Sequence, residues 1–258
     1  TIVDGTFAGI TPVHPAPTFG VLNGAPILVV GSAVGQLEVY GETPKLGFVR
    51  PKISPLDSVS VGQQSKPAFA DLDNDGDQDL VVGDGFGRLN YYRNDGTRYE
   101  PIFVRVYDPF FESIDVGLDS APTFADLDGD GKLDLIVGQG DWTLLYYRNE
   151  GSKEEPDFKK VVAGSPFEAF DRPDNGGGNP ERESTPTFAD INGDGLLDLV
   201  AGTQSGRLHY YRNDGDSLQP DFVKVNVDSP FSEIDVSLAS APTFVDLDRD
   251  GNLDLVVG

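Results

Sequence analysis

The sequence predicts an all-β fold, a β-propeller of about five four-stranded antiparallel blades. Three observations carry this reading. A proline followed by an aromatic opens a repeat at Pro17, Pro67, Pro122, Pro186 and Pro242, at intervals of 50, 55, 64 and 56 residues. Each complete copy holds four short β-type segments separated by turn residues. No segment sustains the 3.6-residue apolar period of a helix. Four antiparallel strands repeated at this length describe propeller blades, whereas solenoid coils have shorter periods.

Each element follows from local chemistry. The first segment is "PTFAD" or "PAFAD"; the second is an apolar run such as "DLVVG", residues 79–83. Stretches containing glycine, "DGFG" and "TQSG", lead to the third segment, residues 88–94, 143–149 and 207–213, which ends in "YYRN" each time. The turns "NDG", "NEG" and "NDG" are hairpin signals leading to a fourth segment, "PIFVRV" or "PDFVKV". The chain reads as one domain, 1–258, with repeats starting near 17, 67, 122, 186 and 242. Residues 1–16 precede the first copy and are expected to add an outer strand to the last blade, hiding an open sheet edge. The alternative is an excerpt of a larger propeller, and the absence of methionine even at position 1 points to processing or excision.

Composition narrows function. With 43 acidic and 19 basic residues the formal charge is −24, which disfavours nucleic acid and anionic membrane surfaces as partners. No apolar run approaches the roughly 18 residues of a membrane span, and no secretory leader pattern is visible. Without cysteine, disulfides and thiolate metal sites are excluded.

The acidity is concentrated in four loops between the first and second segments: "ADLDNDGDQDLVVG" from Ala70, "ADLDGDGKLDLIVG" from Ala125, "ADINGDGLLDLVAG" from Ala189 and "VDLDRDGNLDLVVG" from Val245. The spacing D-x-D-x-D-G-x-x-D offers side-chain oxygens at positions 1, 3, 5 and 9. These are Asp71, Asp73, Asp75 and Asp79; Asp126, Asp128, Asp130 and Asp134; Asp190, Asn192, Asp194 and Asp198; and Asp246, Asp248, Asp250 and Asp254. At position 7 the side chain varies, so Asp77, Lys132, Leu196 and Asn252 are expected to contribute backbone carbonyls. Hard oxygen donors in this number suit calcium better than magnesium, which demands near-ideal octahedral geometry. An EF-hand would need a glutamate at position 12, where Val82, Val137, Ala201 and Val257 stand, and flanking helices, so sensor behaviour is not expected. The first copy, "FGVLNGAPILVVG", is two residues shorter and lacks these carboxylates; it is expected to hold no calcium.

These loops resemble the FG-GAP or VCBS-type repeat found in integrin-alpha propellers and in many secreted or surface proteins and lectins. The resemblance covers nearly the whole chain, and implies a propeller whose loops carry calcium at the positions just named. It implies less about function, because the scaffold serves adhesion, sugar binding and enzyme accessories alike. If each of about four sites binds at about 0.1 mM and calcium outside cells is about 1 mM, each contributes about 1.4 kcal/mol, or about 6 kcal/mol together. The metal is therefore expected to be structural and the chain extracellular, secreted or on a cell surface.

Enzymatic signals are thin. His14 lies in a proline-rich lead-in and His209 on a strand, both read as ordinary residues, and no catalytic constellation is identified. Trp142, at an expected hairpin tip, is a candidate to stack on a sugar ring or a partner, with packing on the neighbouring blade an equal alternative. The long glycine-rich excursion of residues 170–184 reads as a surface insertion. The expected role is a binding or adhesion module for a glycan or an extracellular protein. The alternatives are a self-associating block of a surface assembly or filament, and a polysaccharide-processing enzyme or its accessory domain.

Overall fold

The computed structural model describes residues 13–22, 25–43, 47–141, 143–167 and 185–258. The first sheet runs in chain order through β1 (Ala16–Leu22), β2 (Ala25–Gly31), β3 (Leu37–Thr43) and β4 (Gly47–Val49). The second holds β5 (Lys66–Ala70), β6 (Asp79–Gly83), β7 (Leu89–Asn94) and β8 (Phe103–Val106). The short helix α1 (Pro109–Ser113) follows. The third sheet is β9 (Ala121–Ala125), β10 (Asp134–Gly138), β11 (Leu144–Asn149) and β12 (Phe158–Lys160). The fourth is β13 (Thr185–Ala189), β14 (Asp198–Gly202), β15 (Leu208–Asn213) and β16 (Phe222–Lys224). All neighbouring strands pair antiparallel, each joined to the next in sequence.

A fifth sheet contains, among the described residues, only β17 (Pro242–Val245) and β18 (Asp254–Val257). Among the described residues the expectation of about five four-stranded blades is corrected to four, the fifth sheet having two strands with the acidic loop between them. The five innermost strands nevertheless form a ring. β1 touches β5, β5 touches β9, β9 touches β13, β13 touches β17, and β17 returns to β1. The outer strand expected from residues 1–16 falls mainly on residues 1–12, which lie outside the described residues.

The core lies between blades. Alternate residues of a second strand face opposite neighbours, so Leu80 and Val82 pack with Val29 and Leu56, whereas Val81 packs with Leu135 and Val137. Both faces are covered, which is why β6, β10 and β14 read as unbroken apolar runs; their three central residues are each at most 1% exposed. The glycine that closes each run has a packing reason. A Cβ at Gly83 would lie 2.0 Å from the Ser120 carbonyl oxygen of the next blade, and one at Gly202 the same distance from that of Ser240.

Two features were not read from the sequence. A serine ahead of β5, β9 and β17 stitches each to the preceding blade: Ser120 Oγ donates to the Arg88 carbonyl at 2.7 Å and accepts from the Asp84 N–H at 2.9 Å. Ser240 does the same with Arg207 and Thr203. Helix α1 is only five residues long, too short for a periodic pattern. Its signal was the cap: Asp108 Oδ1 accepts from the Phe110 N–H at 2.8 Å, ahead of Pro109.

Candidate metal centres

Each acidic loop starts on the residue after an inner strand and ends on the first residue of the next, so the blade's first hairpin fixes both ends. The loop backbone wraps around the carboxylates. The position-1 Oδ2 accepts from the N–H of the position-6 glycine: Asp71 from Gly76 at 3.1 Å, Asp126 from Gly131 at 2.8 Å, Asp190 from Gly195 at 2.9 Å and Asp246 from Gly251 at 3.0 Å. The position-5 Oδ1 accepts from the position-7 N–H, as Asp75 does from Asp77 at 2.9 Å and Asp250 from Asn252 at 2.8 Å. These turns need left-handed backbone at the glycines, where φ is 83° to 93°. Position 4 is left-handed as well, including Asn74 at 54° and Arg249 at 61°, which the sequence reading did not foresee.

Among the described residues, one carboxylate oxygen from each of Asp71, Asp73 and Asp75 lies within 4.8 Å of the other two, as in the groups Asp126, Asp128, Asp130 and Asp246, Asp248, Asp254. In the third loop Asn192 stands in for a carboxylate; its Oδ1 accepts from the Asp194 N–H at 2.8 Å. The oxygens Oδ1 of Asp71, Asp73 and Asp126 are buried with no hydrogen-bond partner. A buried, unpartnered carboxylate oxygen beside two other carboxylates is costly, and a cation bound there removes the cost. Burial, and then the Asp75 charge, holds the Asp73 carboxyl above its ordinary range. The second loop also meets protein cations: Lys132 Nζ lies 2.8 Å from Asp130 Oδ2, and Arg148 Nε 3.3 Å from Asp128 Oδ2.

Position 9 behaves differently from the other three. Asp79, Asp134 and Asp198 are at most 1% exposed and are held by the third strand of their own blade. Asp79 Oδ2 accepts from the Tyr91 hydroxyl at 3.0 Å and its Oδ1 from the Asn94 N–H at 2.8 Å. Tyr146 and Asn149 serve Asp134 in this way, and Tyr210 and Asn213 serve Asp198. Burial pushes the Asp79 carboxyl up to about 6 against the lowering effect of these donors. The repeated "YYRN" segment thus supplies a tyrosine and an asparagine that anchor the loop's last carboxylate. The fifth sheet has no third strand among the described residues, and there Asp254 joins Asp246 and Asp248 instead.

The position-7 residues Asp77, Lys132, Leu196 and Asn252 follow the left-handed glycines. Trp142 and the whole of the 170–184 excursion lie outside the described residues. His209, on β15, is held neutral: burial pushes its imidazole down to about 4.

Four antiparallel blades around a ring, with cation-shaped aspartate loops between first and second strands, define a β-propeller with candidate metal loops. The chain belongs to the FG-GAP-like repeat family, whose profile matches residues 71–137, 126–200 and 190–257. A search of curated proteins found no match. Among solved structures, a lectin from Agrocybe aegerita, described as recognising non-reducing terminal N-acetylglucosamine, is 20% identical with a TM-score of 0.48, over 97% of this chain and 62% of its own. An α-L-arabinofuranosidase from Clostridium thermocellum is 16% identical with a TM-score of 0.47, over 81% of this chain and 72% of its own. A fructofuranosidase from Schwanniomyces occidentalis is 9% identical with a TM-score of 0.44, over 94% of this chain and 60% of its own. This chain thus spans less than two thirds of the lectin and of the fructofuranosidase.

Proposed function

We propose that this chain is a calcium-stabilised propeller that acts as a binding module for a glycan or protein outside the cell. The observation that carries the metal is the set of buried, unpartnered oxygens of Asp71, Asp73 and Asp126, inside loops whose backbone is already wrapped. Calcium would be held by Asp71, Asp73 and Asp75; Asp126, Asp128 and Asp130; Asp190, Asn192 and Asp194; and Asp246, Asp248, Asp250 and Asp254, with the position-7 carbonyls. The ion supplies charge neutralisation and many oxygen contacts at once. Sites of about 0.1 mM affinity would fill at extracellular calcium and empty at cytosolic levels, and on that affinity the reading is of a surface or secreted setting.

The binding role rests on what the loops adjoin. A cleft of about 830 Å³ between the third and fourth blades is lined by Asp128, Tyr146, Arg148 and Gln219, a mixture of donors, acceptors and an aromatic face that suits a hydroxylated ligand. Asp128 and Asp130 belong both to this cleft and to the second metal loop, so the metal would set the shape of the cleft wall.

The test is a glycan array in about 1 mM calcium and again in chelator, with thermal melts alongside. Calcium-dependent binding to a defined sugar group supports the reading; a melt that ignores chelator overturns the metal half of it. A chelator-sensitive melt with no sugar bound would leave a protein partner as the ligand class.

A further inference from the structure

The repeats allow one interblade cleft to be compared with its own copy. The cleft of about 300 Å³ between the second and third blades is lined by Asp108, Phe110, Glu154 and Glu155, beside Tyr91 and Asp73. The tyrosine–phenylalanine contacts Tyr91–Phe111 and Tyr146–Phe167 set the register of the two connectors. In that register the cleft between the third and fourth blades has Gly164 for Asp108 and Pro166 for Phe110, and the matching hairpins anchored on Asn149 and Asn213 put Leu218 for Glu154 and Gln219 for Glu155. Four departures therefore fall on one cleft, and they add three carboxylates and an aromatic ring to it.

The ring is held in place. Phe110 stacks on Phe158 at 5.2 Å between centroids and meets Phe111 and Tyr147 edge-on at 5.2 and 5.5 Å. Asp108 fixes the turn that presents it, through its hydrogen bond from the Phe110 N–H. Glu154 is steadied by Asn74 of the second blade, whose Nδ2 donates to it at 3.1 Å across the cleft. Arg93 is the one cation that lines this cleft among the described residues, and it already pairs with Asp95.

We propose that this cleft docks a basic peptide segment, one arginine or lysine of the partner lying over Phe110 with its charge among Asp108, Glu154 and Glu155. The proposal rests on the binding-module reading and names a partner class for it. An aromatic face with carboxylates at its rim attracts a cation through ring quadrupole and charge together, and a preformed site orders little on binding. Charge complementarity with a chain of formal charge −24 steers such a partner in.

The test uses the whole chain in about 1 mM calcium with fluorescent oligo-arginine and oligo-lysine peptides, read by anisotropy across a salt series. Three variants strip the cleft: Phe110→Leu, which keeps the backbone N–H that Asp108 accepts, and the pair Glu154→Leu with Glu155→Gln, the residues of the sister cleft, alone and combined. A control of equal charge change, Glu100→Gln with Glu233→Gln, lies outside the cleft. Saturable binding weakened about tenfold or more by the combined swap but little by the control supports the cleft. Equal losses in swap and control overturn it, showing attraction to overall acidity. Absence of saturable binding to either peptide also overturns it, while a chelator-sensitive melt in the same samples would leave the metal reading standing.

Discussion

At the scale of single residues, neighbouring carboxylates change sign in their effect with the metal. In about 1 mM calcium, Asp71→Asn is expected to lower stability by about 1.4 kcal/mol, the share of one site. In chelator the same change should be neutral or stabilising, since it removes one of three crowded charges. Paired melts of both proteins check this, and loss in both conditions would contradict a metal role. His209 gives a second test at this scale. Its imidazole is held near 4 in the fold, below its ordinary 6.5, so between these values the unfolded chain binds more protons and acid destabilises the fold. The cost approaches about 3 kcal/mol at the low end. His209→Asn, the residue found at the equivalent Asn90, should flatten the acid limb of the melting temperature between pH 6.5 and 4 relative to the parent protein.

At the scale of elements, blades are tied edge to edge by backbone proximity and hydroxyl stitches. Ser120→Ala removes the hydroxyl shared by the Asp84 N–H and the Arg88 carbonyl, which still bond each other at 3.1 Å, and is expected to cost about 0.5 to 1.5 kcal/mol by denaturant unfolding. Gly83→Ala should cost more, because the new methyl would meet the Ser120 carbonyl at 2.0 Å, and backbone has to move to accept it. The hairpin elements were legible: Leu89–Asn94, Leu144–Asn149 and Leu208–Asn213 fall within the third segments marked from "YYRN" and its turns. Helix α1 was not, since one turn held by an Asp–Pro cap leaves no period to detect. The anchoring of Asp79 by Tyr91 was also hidden, because a hydrogen bond across 12 residues depends on the register of β6 against β7.

At the scale of the whole molecule, the four aspartate loops proposed to hold calcium are expected to act together. Chelation should cost about 6 kcal/mol, comparable with the net stability of a typical domain of about 5 to 15 kcal/mol, so the melt should drop sharply or be lost. Four divalent ions would offset 8 of the 24 net negative charges and leave the chain acidic, at about −16. The sequence by itself determined the repeat length, the strand pattern, the turns and the loops rich in aspartate, because these depend on alternation and spacing within a few residues of one another. The tertiary structure alone decided the rest. Strand pairing turned Asp79, Asp134 and Asp198 toward a tyrosine and an asparagine of their own blade, and left Asp254 with its loop. Blade packing brought Phe110 and Glu154, which are 44 positions apart, to one cleft. Contacts between distant segments follow from how sheets stack around the ring, and that geometry is set by all the blades together.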